Sequence, residues 1–84
     1  MFEVRLSRRA RSYYERVPAD TARRLDRAFE SLETNPFGAS DIKPLRGMPG
    51  TYRLRVGDLR VVYEVDRKAR VVSVLHILPR GEAY

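Results

Sequence analysis

The stretch TYRLRVGDLRVVYEV, residues 51 to 65, alternates apolar and polar side chains on both sides of Gly57-Asp58. Such alternation marks a half-buried strand, and a glycine-containing pair between two such runs marks a two-residue hairpin connection. That connection sets Val56 against Leu59, Leu54 against Val61, and Tyr52 against Tyr63, all on one face. The same register puts Arg55 against Arg60 on the other face, with Arg53 one step behind. Like charges opposed across a sheet destabilise it by a few tenths to about 1 kcal/mol. The hairpin therefore fixes a fold element and raises the question of what negative charge answers it.

The rest of the chain supplies the layers. MFEVRLS alternates Phe2, Val4 and Leu6 against Glu3 and Arg5 and reads as a short strand, with Ser7 as the N-cap of a helix. In that helix Ala10, Tyr13, Tyr14 and Val17 recur at helical spacing until Val17-Pro18 breaks the run. A second helix begins between Pro18 and Asp20, carries Ala22, Leu25, Ala28, Phe29 and Leu32 on one stripe, and ends at Asn35-Pro36. A connection this short makes the two helices an antiparallel pair whose apolar stripes are core. Residues 37–50 are rich in glycine and proline and read as a loop with a short helical turn near Asp41 to Lys43. After the hairpin, DRKAR is a looser turn, and VVSVLHILP is a β-branched strand, apolar on both faces and so central in its sheet.

The expected fold is thus α+β in the order β-α-α-β-β-β, one domain over residues 1–84. Its four-stranded, mainly antiparallel sheet has a two-helix hairpin packed on one face. Two helices cover only the face carrying Leu54, Val56, Leu59, Val61 and Tyr63. Arg53, Arg55 and Arg60 are left pointing from the open one.

Here composition matters. Seventeen basic residues stand against eleven acidic ones, a formal +6, and fifteen of the seventeen are arginine. The balance points to a polyanionic partner, and arginine suits phosphate because its planar fork binds two oxygens and keeps its proton. A general preference for arginine over lysine would explain the composition alone, so position has to decide. Each arginine also has a plainer account: Arg53 lies diagonal to Glu64, and Arg60 lies near Asp58. Surface pairs of that kind contribute little.

Other chemistries find no support. The chain has no cysteine and one histidine, His76, with no acid or thiol at ligand spacing, so it reads as a packed or hydrogen-bonded histidine rather than a catalytic base. A glycine-rich phosphate loop, a nucleophile elbow and a carboxylate cluster for magnesium are all missing, so neither a metal nor a cofactor is expected. Nothing reads as a membrane span or a signal peptide, and a cytoplasmic location is the expectation.

LRGMPGTYRLRVGDLRVVYEVD followed by VVSVLHILPRGEAY resembles the RelE-type toxins of the RelE/ParE superfamily of toxin–antitoxin pairs. The resemblance covers essentially the whole length. It implies a ribosome-dependent, metal-independent endoribonuclease that cuts A-site mRNA codons, the ribose 2′-hydroxyl attacking the adjacent phosphate. By the same resemblance, Arg53 and Arg55 match the family's basic residues on the second strand, Arg60 the one opening the third, Arg80 the arginine after the last strand, and Tyr84 the C-terminal tyrosine. These five are the implied catalytic residues, and Arg46 of the Leu-Arg-Gly lead-in joins them as RNA-binding. Where several relatives carry lysine on the second strand, one proposed as general base, this chain has arginine. Arg55 cannot plausibly lose its proton, so either surroundings deprotonate the 2′-hydroxyl or Arg55 acts only electrostatically. Many relatives have glycine-histidine where Leu78-Pro79 stands here. The implied partners are a cognate acidic antitoxin, the ribosome and mRNA. Two other functions fit the same fold: a ParE-type poison of DNA gyrase, and a catalytically degenerate basic binding module.

Overall fold

The hairpin forms in the register its alternation dictates. In the computed structural model, which describes residues 1–38 and 41–79, β1 (Glu3–Leu6), α1 (Arg8–Arg16), α2 (Ala19–Thr34), β2 (Ile42–Pro44), β3 (Thr51–Val56), β4 (Leu59–Asp66) and β5 (Val71–Pro79) succeed one another. Across β3 and β4, Tyr52 meets Tyr63, Leu54 meets Val61, Arg55 meets Arg60 and Val56 meets Leu59. Gly57 holds a φ of +57°, a left-handed value that glycine adopts without steric cost at the head of such a turn.

The helical layer is set by its caps and breaks. The Ser7 hydroxyl accepts from the Ala10 amide at 3.1 Å, satisfying one of the orphan donors at the start of α1. Pro18 separates the helices and caps α2 without a side-chain bond. At the far end the Asn35 amide donates to the Ser31 carbonyl, and Pro36 comes next, unable to extend the ladder. Leu25 and Leu32 from α2 and Ala10 from α1 are fully buried against Leu54, Val61, Tyr63, Val72, Val74 and Ile77 of the sheet. Each fully buried aliphatic side chain contributes roughly 1.5–3 kcal/mol. The Tyr63 hydroxyl donates to the Pro36 carbonyl at 2.7 Å inside this core, tying the end of α2 to the sheet. No helix of the described residues is long and apolar enough to cross a membrane.

The sheet order is β1-β5-β4-β3-β2, with β1 parallel to β5 and the other pairings antiparallel. The β-branched β5 lies inside the sheet, between β1 and β4, as its two apolar faces predict. Two expectations need correction. The sheet has five strands rather than four, because residues 42–44 pair with β3 instead of forming a helical turn. Ile42 aligns with Leu54 on the apolar face, Lys43 aligns with Arg53, and Pro44 aligns with Tyr52. A proline is tolerated there because β2 is an edge strand.

The face away from the helices is also not simply open. Val62, which alternation places on that face, is fully buried, and Arg53 and Arg60 are half-buried. A β-bulge contributes to that surface. Val61 aligns with Ile77 and Val62 with His76, but Tyr63 aligns with Val74, so Leu75 is the extra residue. Val72 and Val74 face the core before the bulge, and Ile77 does so after it. The slip of phase turns His76 and Leu78 toward the arginine side. Ser7 fixes this point: its amide donates to the Val74 carbonyl and its hydroxyl to the Leu75 carbonyl, both at 2.8 Å.

Candidate functional site

Transverse rows of side chains cross the sheet on the face away from the helices. One runs Lys43, Arg53, Val62, His76, and its neighbour runs Arg55, Arg60, Leu78. Asp41 extends the second row beyond β3, its carbonyl accepting from the Arg55 amide at 3.1 Å. Asp41, Lys43, Arg53, Arg55 and Arg60 together line a cavity of about 210 Å³. Four cations against one carboxylate give it a formal charge of +3.

The plainer account of these arginines does not hold in the described residues. Arg53 does lie diagonal to Glu64, since Thr51 opposes Glu64 and Val62 opposes Arg53. Even so, the one ion pair among the described residues is Arg5–Glu3 at 2.8 Å, far along the chain. Arg53, Arg55, Arg60 and Lys43 line one concavity with no carboxylate pairing at contact distance among the described residues. Fixed cations converging in this way are suited to an oxyanion carrying more than one negative oxygen, a phosphodiester above all.

The structure brings together Arg53, Arg55 and Arg60, the residues singled out by hairpin register. It separates Arg46, which is exposed in the turn between β2 and β3 and does not line the cavity. Arg80 and Tyr84 lie outside the described residues. His76 shares the cationic face, with its Nδ1 shut away from solvent, but is not part of the cavity lining. Sequence reasoning missed Asp41 and Lys43. The polar-apolar-polar pattern around Ile42 was their signal, but three residues closed by Pro44 are too short to distinguish a strand from a turn.

Comparison with known proteins bears on the same elements. The family model described as the ParE toxin of type II toxin–antitoxin system, parDE, matches residues 4–84. A protein of Methanocaldococcus jannaschii that carries the toxin name RelE1 is 32% identical over 85 residues, covering 99% of this chain and 94% of that one. A chain in the crystal structure of the archaeal RelE–RelB complex from Pyrococcus horikoshii superposes with a TM-score of 0.86 at 30% identity, covering 98% of each chain. One from the RelBE2 toxin–antitoxin complex of Mycobacterium tuberculosis superposes with a TM-score of 0.78, also at 30% identity, covering 94% of this chain and 98% of that one. The chain therefore belongs to the ParE toxin family of type II toxin–antitoxin systems, within the RelE/ParE superfamily.

Proposed function

We propose that this toxin is a ribosome-dependent, metal-independent mRNA endoribonuclease, and that the cavity between β2, β3 and β4 holds the scissile phosphate. The observation that carries the reading is the convergence of Lys43, Arg53, Arg55 and Arg60 on one concavity that has a single carboxylate among its described lining residues. When the 2′-oxygen attacks the adjacent phosphorus, negative charge builds on the equatorial phosphate oxygens. Cationic donors already fixed in place stabilise that charge without reorganising at the moment of reaction. Arg60, half-buried and opposed to Arg55, is the centre of this clamp, with Arg53 beside it. Arg80 contributes charge and hydrogen bonds near the leaving 5′-oxygen, and the Tyr84 ring stacks on a splayed base, as in readers of single-stranded RNA. Products are a 2′,3′-cyclic phosphate and a free 5′-hydroxyl.

The partner that restrains it is an acidic, partly disordered antitoxin. Charge complementarity recommends the arginine face and the outer helix surface, where Arg23, Arg24 and Arg27 project from α2. An extended acidic chain can cover both at once.

Ribosomes programmed with a defined mRNA test the reading. Added toxin is expected to cut within the A-site codon and leave 5′-hydroxyl ends. Intact mRNA accompanied by loss of gyrase supercoiling would transfer the function to the gyrase-poison class. Intact mRNA with unimpaired gyrase would leave only a binding module.

A further inference from the structure

We propose that Asp41 and Lys43 are the proton acceptor and proton donor of the cleavage, a pair on the β2 segment flanking the phosphate that the arginines hold. This rests on the nuclease reading above and adds the two proton transfers that reading leaves unassigned. Of the five described side chains lining the cavity, three are guanidinium groups, which neither take nor give up a proton in a protein. Cleavage needs a proton removed from the 2′-hydroxyl and one delivered to the 5′-oxygen. Among the described residues that line the cavity, Asp41 and Lys43 alone carry groups able to do either.

Their placement fits an in-line displacement, in which the entering and leaving oxygens lie on opposite sides of phosphorus. Asp41 immediately precedes β2 and Lys43 is its second residue, and both side chains line the cavity. Two residues of extended chain set their backbones about 6.7 Å apart. Asp41 lies at the Arg55–Arg60 row through its bond to the Arg55 amide, and Lys43 lies at the Arg53 row. A phosphate seated among the three arginines therefore has a carboxylate toward one end and an ammonium toward the other. Ile42, between them, aligns with Leu54 on the apolar face and fixes the strand. Charged groups face the pair from several elements: Arg53 and Arg55 on β3 and Arg60 on β4. Arg24 and Arg27 of α2 border the groove on the other side of Asp41.

In the step, the Asp41 carboxylate takes the 2′-hydroxyl proton as the 2′-oxygen bonds to phosphorus. The bond from phosphorus to the 5′-oxygen breaks, its electron pair going to that oxygen, and the Lys43 ammonium supplies the proton. Asp41 gains one proton and Lys43 loses one; exchange with water restores both.

A sulfur-bridged substrate separates proton donation from simple attraction, because a departing thiolate needs no proton. Programmed ribosomes carry mRNA with either the ordinary 5′-oxygen or a single 5′-bridging sulfur at the scissile linkage. Lys43→Arg, which keeps the charge without a proton to give, is expected to slow cleavage of the oxygen substrate by about 100-fold or more and to cut the sulfur substrate at close to the wild-type rate. Lys43→Ala, which also removes a clamping cation, should slow both, the oxygen substrate more. Asp41→Asn is expected to slow both substrates alike, by about 100-fold or more, and Asp41→Glu to restore part of the rate on both. Equal losses on both substrates for the Lys43 variants, or no loss on either, would overturn the donor assignment. An Asp41→Asn enzyme that cuts either substrate at the wild-type rate, or an Asp41→Glu enzyme no faster than Asp41→Asn, would overturn the acceptor. Wild-type protein that cuts neither substrate would sink the nuclease reading itself, an outcome distinct from both.

Discussion

The two faces of the sheet are built by alternate residues of the same strands, yet they are held by opposite means. Toward the helices, Leu54, Val61 and Tyr63 are shut in by Leu25 and Leu32 of α2, so removal of apolar surface from water stabilises that side. On the other side the same strands present Arg53, Arg55 and Arg60, with Lys43 from β2, in opposed positions that cost stability and have no ion-pair partner among the described residues. One face explains why the domain folds. The other is an expense in stability that folding alone does not explain, and it is where an external anion belongs. Variants on the two faces should therefore separate stability from activity.

Leu32→Ala is the sharpest break on the helical side. It removes a fully buried side chain and should cost about 2–5 kcal/mol, a large share of the stability of a domain this size. Chemical denaturation measures it, and cleavage should fall only as far as the folded fraction does. Arg60→Ala is the counterpart. Losing a preorganised donor should cost about 2.7–4 kcal/mol of transition-state stabilisation, a rate loss of about 100-fold or more, while the denaturation midpoint holds or rises slightly. An unfolded Arg60→Ala protein would erase the distinction between the faces.

Tyr63→Phe probes the join between sheet and helix. It leaves the Pro36 carbonyl without its donor, an effect of about 1–3 kcal/mol. Burial, with Tyr52 nearby, also pushes the Tyr63 pKa far above the usual tyrosine range. The folded chain thus keeps a proton that the unfolded chain loses above about pH 10, so this contribution is intact below that pH and declines as pH rises through it. Tyr14 is raised too, through its hydrogen bond to Asp26, so Tyr63→Phe should reduce the alkaline slope without abolishing it. Identical slopes in the two proteins would contradict the assignment. The smallest effect is expected at Arg5→Ala, whose exposed pair with Glu3 is screened by solvent and should leave the denaturation midpoint essentially unchanged.

What could be read from the chain alone was local. The hairpin register comes from unbroken alternation around Gly57, and the helix limits come from Ser7, Pro18 and Asn35-Pro36, where neighbouring residues decide the geometry. β2 could not be read this way, because its three residues become a strand only by pairing with β3. That error hid Asp41 and Lys43, two of the described side chains lining the cavity. The bulge was equally hidden: Leu75 is as apolar as Val74 before it and Ile77 beyond it, so the pattern of apolar residues does not locate the slip of phase. Val62 did leave a trace. Val61-Val62-Tyr63 interrupts the alternation of β4, the sign of a strand buried on both sides at that point.

The surplus Leu75 makes β5 a strand with two allegiances. Its first half aims even-numbered residues at the core, and its second half aims odd-numbered ones. Excising Leu75 would leave Val74 opposite Tyr63 and His76 opposite Val62, so neither half would turn over, and only the seat of the Ser7 hydroxyl would be lost. Keeping Leu75 but ironing the kink flat would be far worse, driving His76 and Leu78 under the helices and expelling Ile77. The strand thus tolerates becoming shorter better than it tolerates becoming straighter.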